Sequence, residues 1–172
     1  RVTDGEFVVA GDWRFEVIEV PGHTRSHLAF HGSGIDGGVL FCGDTLFSLG
    51  CGRLFEGTPA QMLDSLDRLA AMPGPTQVCC THEYTLSNAA FALTVDPDNI
   101  ALRRRAEEVR SLRSASQPTL PSTLALEAAT NPFMRCDTDA IRGAIAERLG
   151  RAPADRIDTF AELRRWKDGF RG

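Results

Sequence analysis

The sequence predicts an α+β fold: a sheet-forming first half with one packed helix, then a small all-helical part. Three observations carry this. Residues 1–82 hold short apolar runs rich in β-formers, separated by Gly and Pro. After Tyr84 the apolar spacing turns helical and strand signals vanish. Charge divides the same way: residues 1–92 carry 5 Arg against 11 Asp and Glu, a net −6, and residues 93–172 carry 14 Lys and Arg against 12 Asp and Glu, a net +2. The expected units are residues 1–86 and 87–172.

Phe7–Val9 and Arg14–Val20 read as a hairpin with its turn at Gly11-Asp12, because Phe15 and Val17 alternate with charge. Pro21-Gly22 ends the second strand and leaves His23 on a loop. Ser26–His31 is a third strand, and Gly32–Gly38 a glycine-rich turn. Val39–Cys42 is the central strand, running into a Gly43-Asp44 break. The next helix is punctuated by Thr58 as N-cap, Pro59 in the first turn and Gln61 completing a capping box. Met62, Leu63, Leu66, Leu69 and Ala70 form its apolar face, and Pro73-Gly74-Pro75 stops it. Gln77–Cys80 is the last expected strand, since β-α-β order favours a layered sheet with helices on its face. Helices follow over 85–93 and 98–115, the latter with Ile100, Ala101, Val109 and Leu112 facing inward. Pro118–Ser122 is a connector and Asn131-Pro132-Phe133 a turn. Asp137 is expected to cap a helix ending at Gly150, and Asp158 one ending near Lys167.

Composition excludes several classes. The chain has 172 residues, 42% hydrophobic and 24% charged, ordinary for a globular protein. No apolar run is long enough to span a membrane, so no membrane role is expected. The charge asymmetry is too weak for a nucleic-acid surface. Arg1–Gly5 is no signal peptide and no Met comes first, so the chain is expected to begin mid-protein or after processing. Five Cys, two of them adjacent, fit neither a disulfide framework nor a zinc knot. Reduced thiols filling the core, in the cytoplasm, are expected.

Three stretches carry candidate chemistry. His23, Asp44 and His82 each follow a strand, so they can converge on a divalent metal. Each has an ordinary alternative: a loop His is commonly a surface or hydrogen-bonded corner, and Gly-Asp-Thr is commonly a turn. His23 and His27 have i, i+4 spacing, but Pro21-Gly22 opposes a helix and no Glu follows the first His, so the zinc-protease pattern is absent. Thr24 and Thr81 suit a supporting or turn role, and His31 a strand position. Arg164 and Lys167 share one helix face, which by spacing alone suits a solvated helix end.

Pro21-Gly22-His23-Thr24, Phe41–Phe47, Gly50–Thr58 and His82-Glu83-Tyr84-Thr85 together resemble hydroxyacylglutathione hydrolase (glyoxalase II), a branch of the metallo-β-lactamase superfamily. Asn131–Arg135 and Arg164–Asp168 resemble motifs of that family's helical C-terminal domain. The resemblance covers nearly the whole chain, and the Gly50-Cys51-Gly52-Arg53 loop and helical part are its most branch-specific features. It implies the C-terminal portion of an αββα sandwich followed by an all-helical substrate-binding domain. It also implies hydrolysis of S-D-lactoylglutathione to glutathione and D-lactate, the second step of methylglyoxal detoxification. Two divalent metals are implied, zinc foremost, with iron or manganese tolerated. His23 matches a ligand of one metal and His82 of the other, while Asp44 matches the bridging carboxylate beside the attacking hydroxide. Arg53, Phe55, His82, Tyr84, Arg164 and Lys167 match substrate-contact positions. Arg164 and Lys167, the only Lys of the chain, match the pair holding the glycine carboxylate of glutathione. Phe55 stands where relatives often carry Tyr, which removes one hydroxyl contact.

The resemblance has one gap. The family's Thr-His-x-His-x-Asp-His motif, which supplies the remaining metal ligands, is absent, and His27 and His31 lack its spacing. The expected activity therefore needs the missing half, in preceding residues or a companion chain, and with it a monomer is expected. Two alternatives stand beside it. One is a metal-deficient glutathione-binding remnant. The other is a different metallo-β-lactamase-type activity, such as a lactamase or sulfur dioxygenase.

Overall fold

The computed structural model describes residues 1–34 and 37–171. A six-stranded sheet runs in the order β1-β2-β3-β4-β7-β8. Its strands are β1 (Phe7–Ala10), β2 (Trp13–Glu19), β3 (Leu28–Gly32), β4 (Val39–Gly43), β7 (Gln77–Cys80) and β8 (Ser122–Thr123). The pairs β1–β2, β2–β3 and β3–β4 are antiparallel, whereas β4–β7 is parallel because helix α1 (Pro59–Ala70) carries the chain back across the face. A separate small hairpin pairs β5 (Leu46–Phe47) with β6 (Gly50–Cys51).

Alternation along the strands decides which face is covered. Leu40 and Cys42 of β4 and Val78 of β7 point into the core against Met62, Leu63, Leu66 and Leu69 of α1. Phe41, one residue out of phase, stays 45% exposed on the opposite face, where Trp13 is 46% exposed. Phe15 packs edge-on to Phe41 at 5.7 Å, and these rings line a groove of about 530 Å³ on that open face. The expected capping box on α1 is present in both directions, with Pro59 in its first turn. Ala70 departs from the expected face and is exposed at the helix end.

The second half contains α2 (Thr85–Val95), α3 (Ile100–Ser114), α4 (Leu124–Thr130), a 3-10 turn over Pro132–Met134, α5 (Asp139–Leu149) and α6 (Arg156–Gly169). It is not all-helical. Ser122 and Thr123 form β8, which pairs with Val78 and Gln77 at the sheet edge. Caps also move. Thr138, not Asp137, accepts the Ile141 N–H to start α5. Asp155, not Asp158, accepts the Asp158 N–H to start α6, and Asp158 instead pairs with Arg151. On α3 the buried stripe is Leu102, Arg105, Ala106 and Val109. Ile100 is exposed and Leu112 only partly buried. Arg105 tolerates burial because it donates to the Thr119 carbonyl at 2.7 Å and to Glu108 at 2.9 Å.

One core joins the halves: Leu40 and Leu66 belong to the same cluster as Phe133, Ile141, Phe160 and Leu163. Arg156 of α6 clamps Asp67 of α1 with two bonds of 2.5 and 2.7 Å. Cys42, Cys51 and Cys136 are buried free thiols, and Cys79 and Cys80 are half-buried. Burial pushes the Cys51 thiol up to about 11, although Arg164 opposes the shift, so it stays a neutral space-filler.

Candidate active site

Strand ends place the chemistry. Gly43 closes β4 with φ +54, a left-handed turn that throws Asp44 out of the sheet. A Cβ at Gly43 would lie 2.3 Å from His27 Nε2, so only Gly fits beneath that ring. His27 uses the space to accept the Asp44 N–H at Nε2, 2.9 Å away. Burial, and then the charge of neighbouring His23, lower the pKa of His27, which favours the neutral ring this bond requires. Thr81, just past β7, donates its hydroxyl to Asp44 Oδ1. His27 and Thr81 thus fix both the backbone and the carboxylate of Asp44. His31 lies in β3 opposite Leu40, as a strand residue.

His23 is held by a second loop. Its Nδ1 lies 2.9 Å from the Arg53 carbonyl, and a carbonyl only accepts, so Nδ1 carries the hydrogen. Around it, the Phe55 N–H donates to the His23 carbonyl at 3.2 Å and the Gly57 N–H to the Gly22 carbonyl at 3.1 Å. Glu56 accepts the Arg25 N–H at 2.9 Å. Phe55 is solvent-exposed on its outer side and lays its ring 4.9 Å from the His23 ring.

With Nδ1 committed, His23 Nε2 offers a lone pair, and it faces Asp44 Oδ2 at 3.2 Å. His82 Nε2 faces the other oxygen, Oδ1, at 3.6 Å. Imidazole nitrogens and carboxylate oxygens set together in this way can share a proton or a metal cation. Two ligands about 2.1 Å from a tetrahedral zinc stand about 3.4 Å apart, which the two separations bracket. The donor set therefore fits a carboxylate shared between two metals, one imidazole and one oxygen to each. It is incomplete by count: among the described residues no three His, Cys, Asp or Glu side chains gather around a single point. Each metal would need further ligands.

The residues singled out in the sequence line one cleft of about 630 Å³: His23, Asp44, His82, Arg53, Phe55, Tyr84, Arg164 and Lys167. Tyr84 stacks on His82 at 4.9 Å, and Phe47 meets Tyr84 edge-on at 5.3 Å. Lys167 reaches Ser87 at 3.4 Å. Asp168 is shared by Arg53 at 3.6 Å and Arg164 at 3.0 Å. Two guanidiniums pair with this carboxylate, and Lys167 feels their charge. Burial first, and then Arg164 and Arg53, bring the Lys167 pKa down to about 8. Arg164 is also a structural staple: it is buried, donates to the Cys51 carbonyl at 2.9 Å and lies over the Phe133 ring.

Sequence reasoning missed Phe47, Ser87, Asn88 and Phe170 in the cleft wall. Only helical phase could have flagged Ser87 and Asn88, since they precede no recognisable motif.

Residues 83–170 match the family described as Hydroxyacylglutathione hydrolase C-terminus. The chain belongs to the hydroxyacylglutathione hydrolase family. Residues 1–82 match the Metallo-beta-lactamase superfamily. A hydroxyacylglutathione hydrolase of Xanthomonas axonopodis pv. citri (strain 306) is 60% identical over 171 residues, covering 99% of this chain and 66% of the relative. One from Xylella fastidiosa (strain M23) is 55% identical over 170 residues, covering 99% and 64%. The chain thus spans slightly less than two thirds of the length of these family members. A metallo-beta-lactamase from Staphylococcus aureus subsp. aureus COL shares the fold at TM-score 0.54 and 20% identity, covering 96% of this chain and 42% of the other. BLEG-1 B3 metallo-beta-lactamase does so at TM-score 0.52 and 21% identity, covering 77% and 47%. Family membership implies divalent metal, and among the described residues no helix is long and apolar enough to cross a membrane.

Proposed function

We propose that this chain is the larger part of a metal-dependent thiolester hydrolase acting on S-D-lactoylglutathione and releasing glutathione and D-lactate. One observation carries the reading: a single cleft holds both a His–carboxylate–His array and the cations Arg53, Arg164 and Lys167. That combination suits a substrate with a reactive acyl group at one end and a carboxylate at the other. His23 would ligate one metal, His82 the other, and Asp44 both, with zinc as the resident ion. Bound divalent metals supply Lewis acidity and an ionised water at neutral pH. The chain's own residues do the rest. Thr81 and His27 orient Asp44, and the Arg53 carbonyl holds the His23 tautomer. Phe55 and Tyr84 flank the imidazoles with aromatic surface. Arg53, Arg164 and Lys167 bind the glutathione carboxylate.

The division proposed is a metallo-β-lactamase-like part to residue 86 and a substrate-binding part from residue 87. The open sheet face bearing Trp13 and Phe41 suits cover by the remainder of the sandwich. That remainder would bring the missing ligands and yield a monomer. Half-buried and buried free thiols suit a reducing cytoplasm.

The test supplies the protein with the third of its relatives' length that it does not span, loads it with zinc and follows thiolester loss. Turnover is expected with that part present, and glutathione binding without turnover in its absence. A zinc-loaded, complete protein that leaves the thiolester intact sinks the proposal.

Lys167 makes binding pH-dependent. Its charge is nearly complete at pH 7 and mostly gone at pH 9, so glutathione affinity is expected to fall as pH rises through about 8. Calorimetry across pH 7–9 should also show proton uptake on binding, because a carboxylate raises the pKa of the ammonium. Unfolded Lys titrates near the ordinary value of 10.5. Between about 8 and that value the unfolded chain holds more protons, so this group makes stability rise with pH there. Flat affinity over pH 7–9 would remove Lys167 from the binding site.

A further inference from the structure

Glu127, on α4, is a fully buried carboxylate far in sequence from the motifs of the cleft. Its Oε1 accepts from Ser48 Oγ at 3.0 Å and Ser122 Oγ at 2.5 Å. Its Oε2 accepts from the Leu49 N–H at 2.7 Å and Asn131 Nδ2 at 3.0 Å. Four donors saturate the carboxylate. The two Nδ2 hydrogens of Asn131 are shared between that carboxylate oxygen, the Phe47 carbonyl at 3.1 Å and the Gly50 carbonyl at 2.9 Å.

These bonds converge on the β5–β6 hairpin. Its turn residue Leu49 has φ +60, a left-handed conformation that a branched side chain adopts only when its surroundings hold it. The hairpin presents Phe47 and Cys51 to the cleft, and Phe47 abuts Tyr84 and, at 6.1 Å, His82. Asn88 grips the turn from the cleft side, donating to the Ser48 carbonyl at 3.0 Å.

We propose that Glu127, with Asn131, is a positioning residue that holds the Phe47–Cys51 hairpin in its left-handed turn and thereby sets the aromatic wall beside His82. It acts through Phe47 and touches no ligand. The glutathione arm of the test rests on the function proposed above; the spectroscopic arm does not.

The two oxygens predict different tolerance. The partners of Oε1 are hydroxyls that can turn round and accept. The partners of Oε2 are obligate donors. Glu127→Gln can put its amide oxygen at Oε2 and its NH2 at Oε1, keeping every bond. Glu127→Ala strands the Leu49 N–H and frees the turn.

Tyr84 is the only tyrosine of the chain, so 3-fluorotyrosine labelling yields a single 19F resonance beside Phe47. In Glu127→Ala, held well below its thermal midpoint, that resonance is expected to move or broaden and glutathione affinity to fall about tenfold. Glu127→Gln should restore both. Asn131→Ala, which leaves the carboxylate three of its donors, serves as the second variant and should move the resonance the same way. An unmoved resonance in a folded Glu127→Ala protein overturns the proposal. So does unfolding of both alanine variants, which would assign the cluster to stability alone. A moved resonance in a protein whose wild type binds no glutathione upholds the positioning role and removes the ligand reading.

Discussion

Asp44→Asn in the complete, zinc-loaded enzyme is expected to lower thiolester turnover by about 10³-fold or more, the scale on which shared-metal chemistry operates. Both Asp44 oxygens are in use: Oδ2 faces His23 and Oδ1 faces His82 while accepting from Thr81. An amide puts an NH2 at one of these places. Facing His23, it would occupy the imidazole lone pair that a metal needs. Facing His82, it would also oppose the donating Thr81 hydroxyl. Either orientation leaves one metal without its carboxylate oxygen. The fold should survive, because the Asp44 side chain is 26% exposed and packs in no core cluster. Metal content by mass spectrometry should fall by at least one ion per chain, with an unchanged circular dichroism spectrum. Full metal content and full turnover in the folded variant would exclude Asp44 as the shared ligand.

The features readable from sequence are those whose physical cause is local. Thr58, Pro59 and Gln61 sit within one turn, and their capping box forms as expected. Asp44 was legible because an apolar strand ending in Gly-Asp announces a break at a sheet edge. The tandem of Arg164 and Lys167 was visible as spacing, but not the Cys51 carbonyl that buries Arg164, since that contact is 113 residues long in sequence. Glu127 was invisible for the same reason. Its carboxylate is explained by Ser48 and Leu49, 79 and 78 residues away, while locally Leu124–Thr130 is too short to show a period. Cap positions slipped where several cap-capable residues are neighbours, as at Asp137-Thr138-Asp139. The inward stripe of α3 was misplaced because a buried Arg105 stands where an apolar residue was sought. The two halves separate by composition, yet they share one core, and packing between distant segments leaves no mark on composition.

Gly52→Ala is expected to damage fold and site together. A Cβ there would lie 1.9 Å from the Asp44 carbonyl oxygen and 3.1 Å from its carbon, with His23 Nδ1 at 3.3 Å. The obstruction is backbone, so no rotamer change relieves it. The Gly52 N–H also donates to the Thr45 carbonyl at 3.2 Å, which ties the crowded segment just past β6 to the turn it would have to leave. Forced overpacking of this kind costs about 1–3 kcal/mol or more, which in a chain of this size lowers the thermal midpoint by about 2–12 °C. The displacement falls on Asp44 and His23, so metal affinity should drop even at temperatures where the variant stays folded. Gly143→Ala is the matched control. Gly143 lies inside α5 with nothing within 4 Å of its added carbon, and Ala there should stabilise by about 0.5–1 kcal/mol. A Gly52→Ala protein with the thermal midpoint and metal content of the parent would mean that the Gly52 backbone and the Asp44 turn do not approach as closely as the structure has them. The link between loop 50–58 and the His–carboxylate–His array would then be lost.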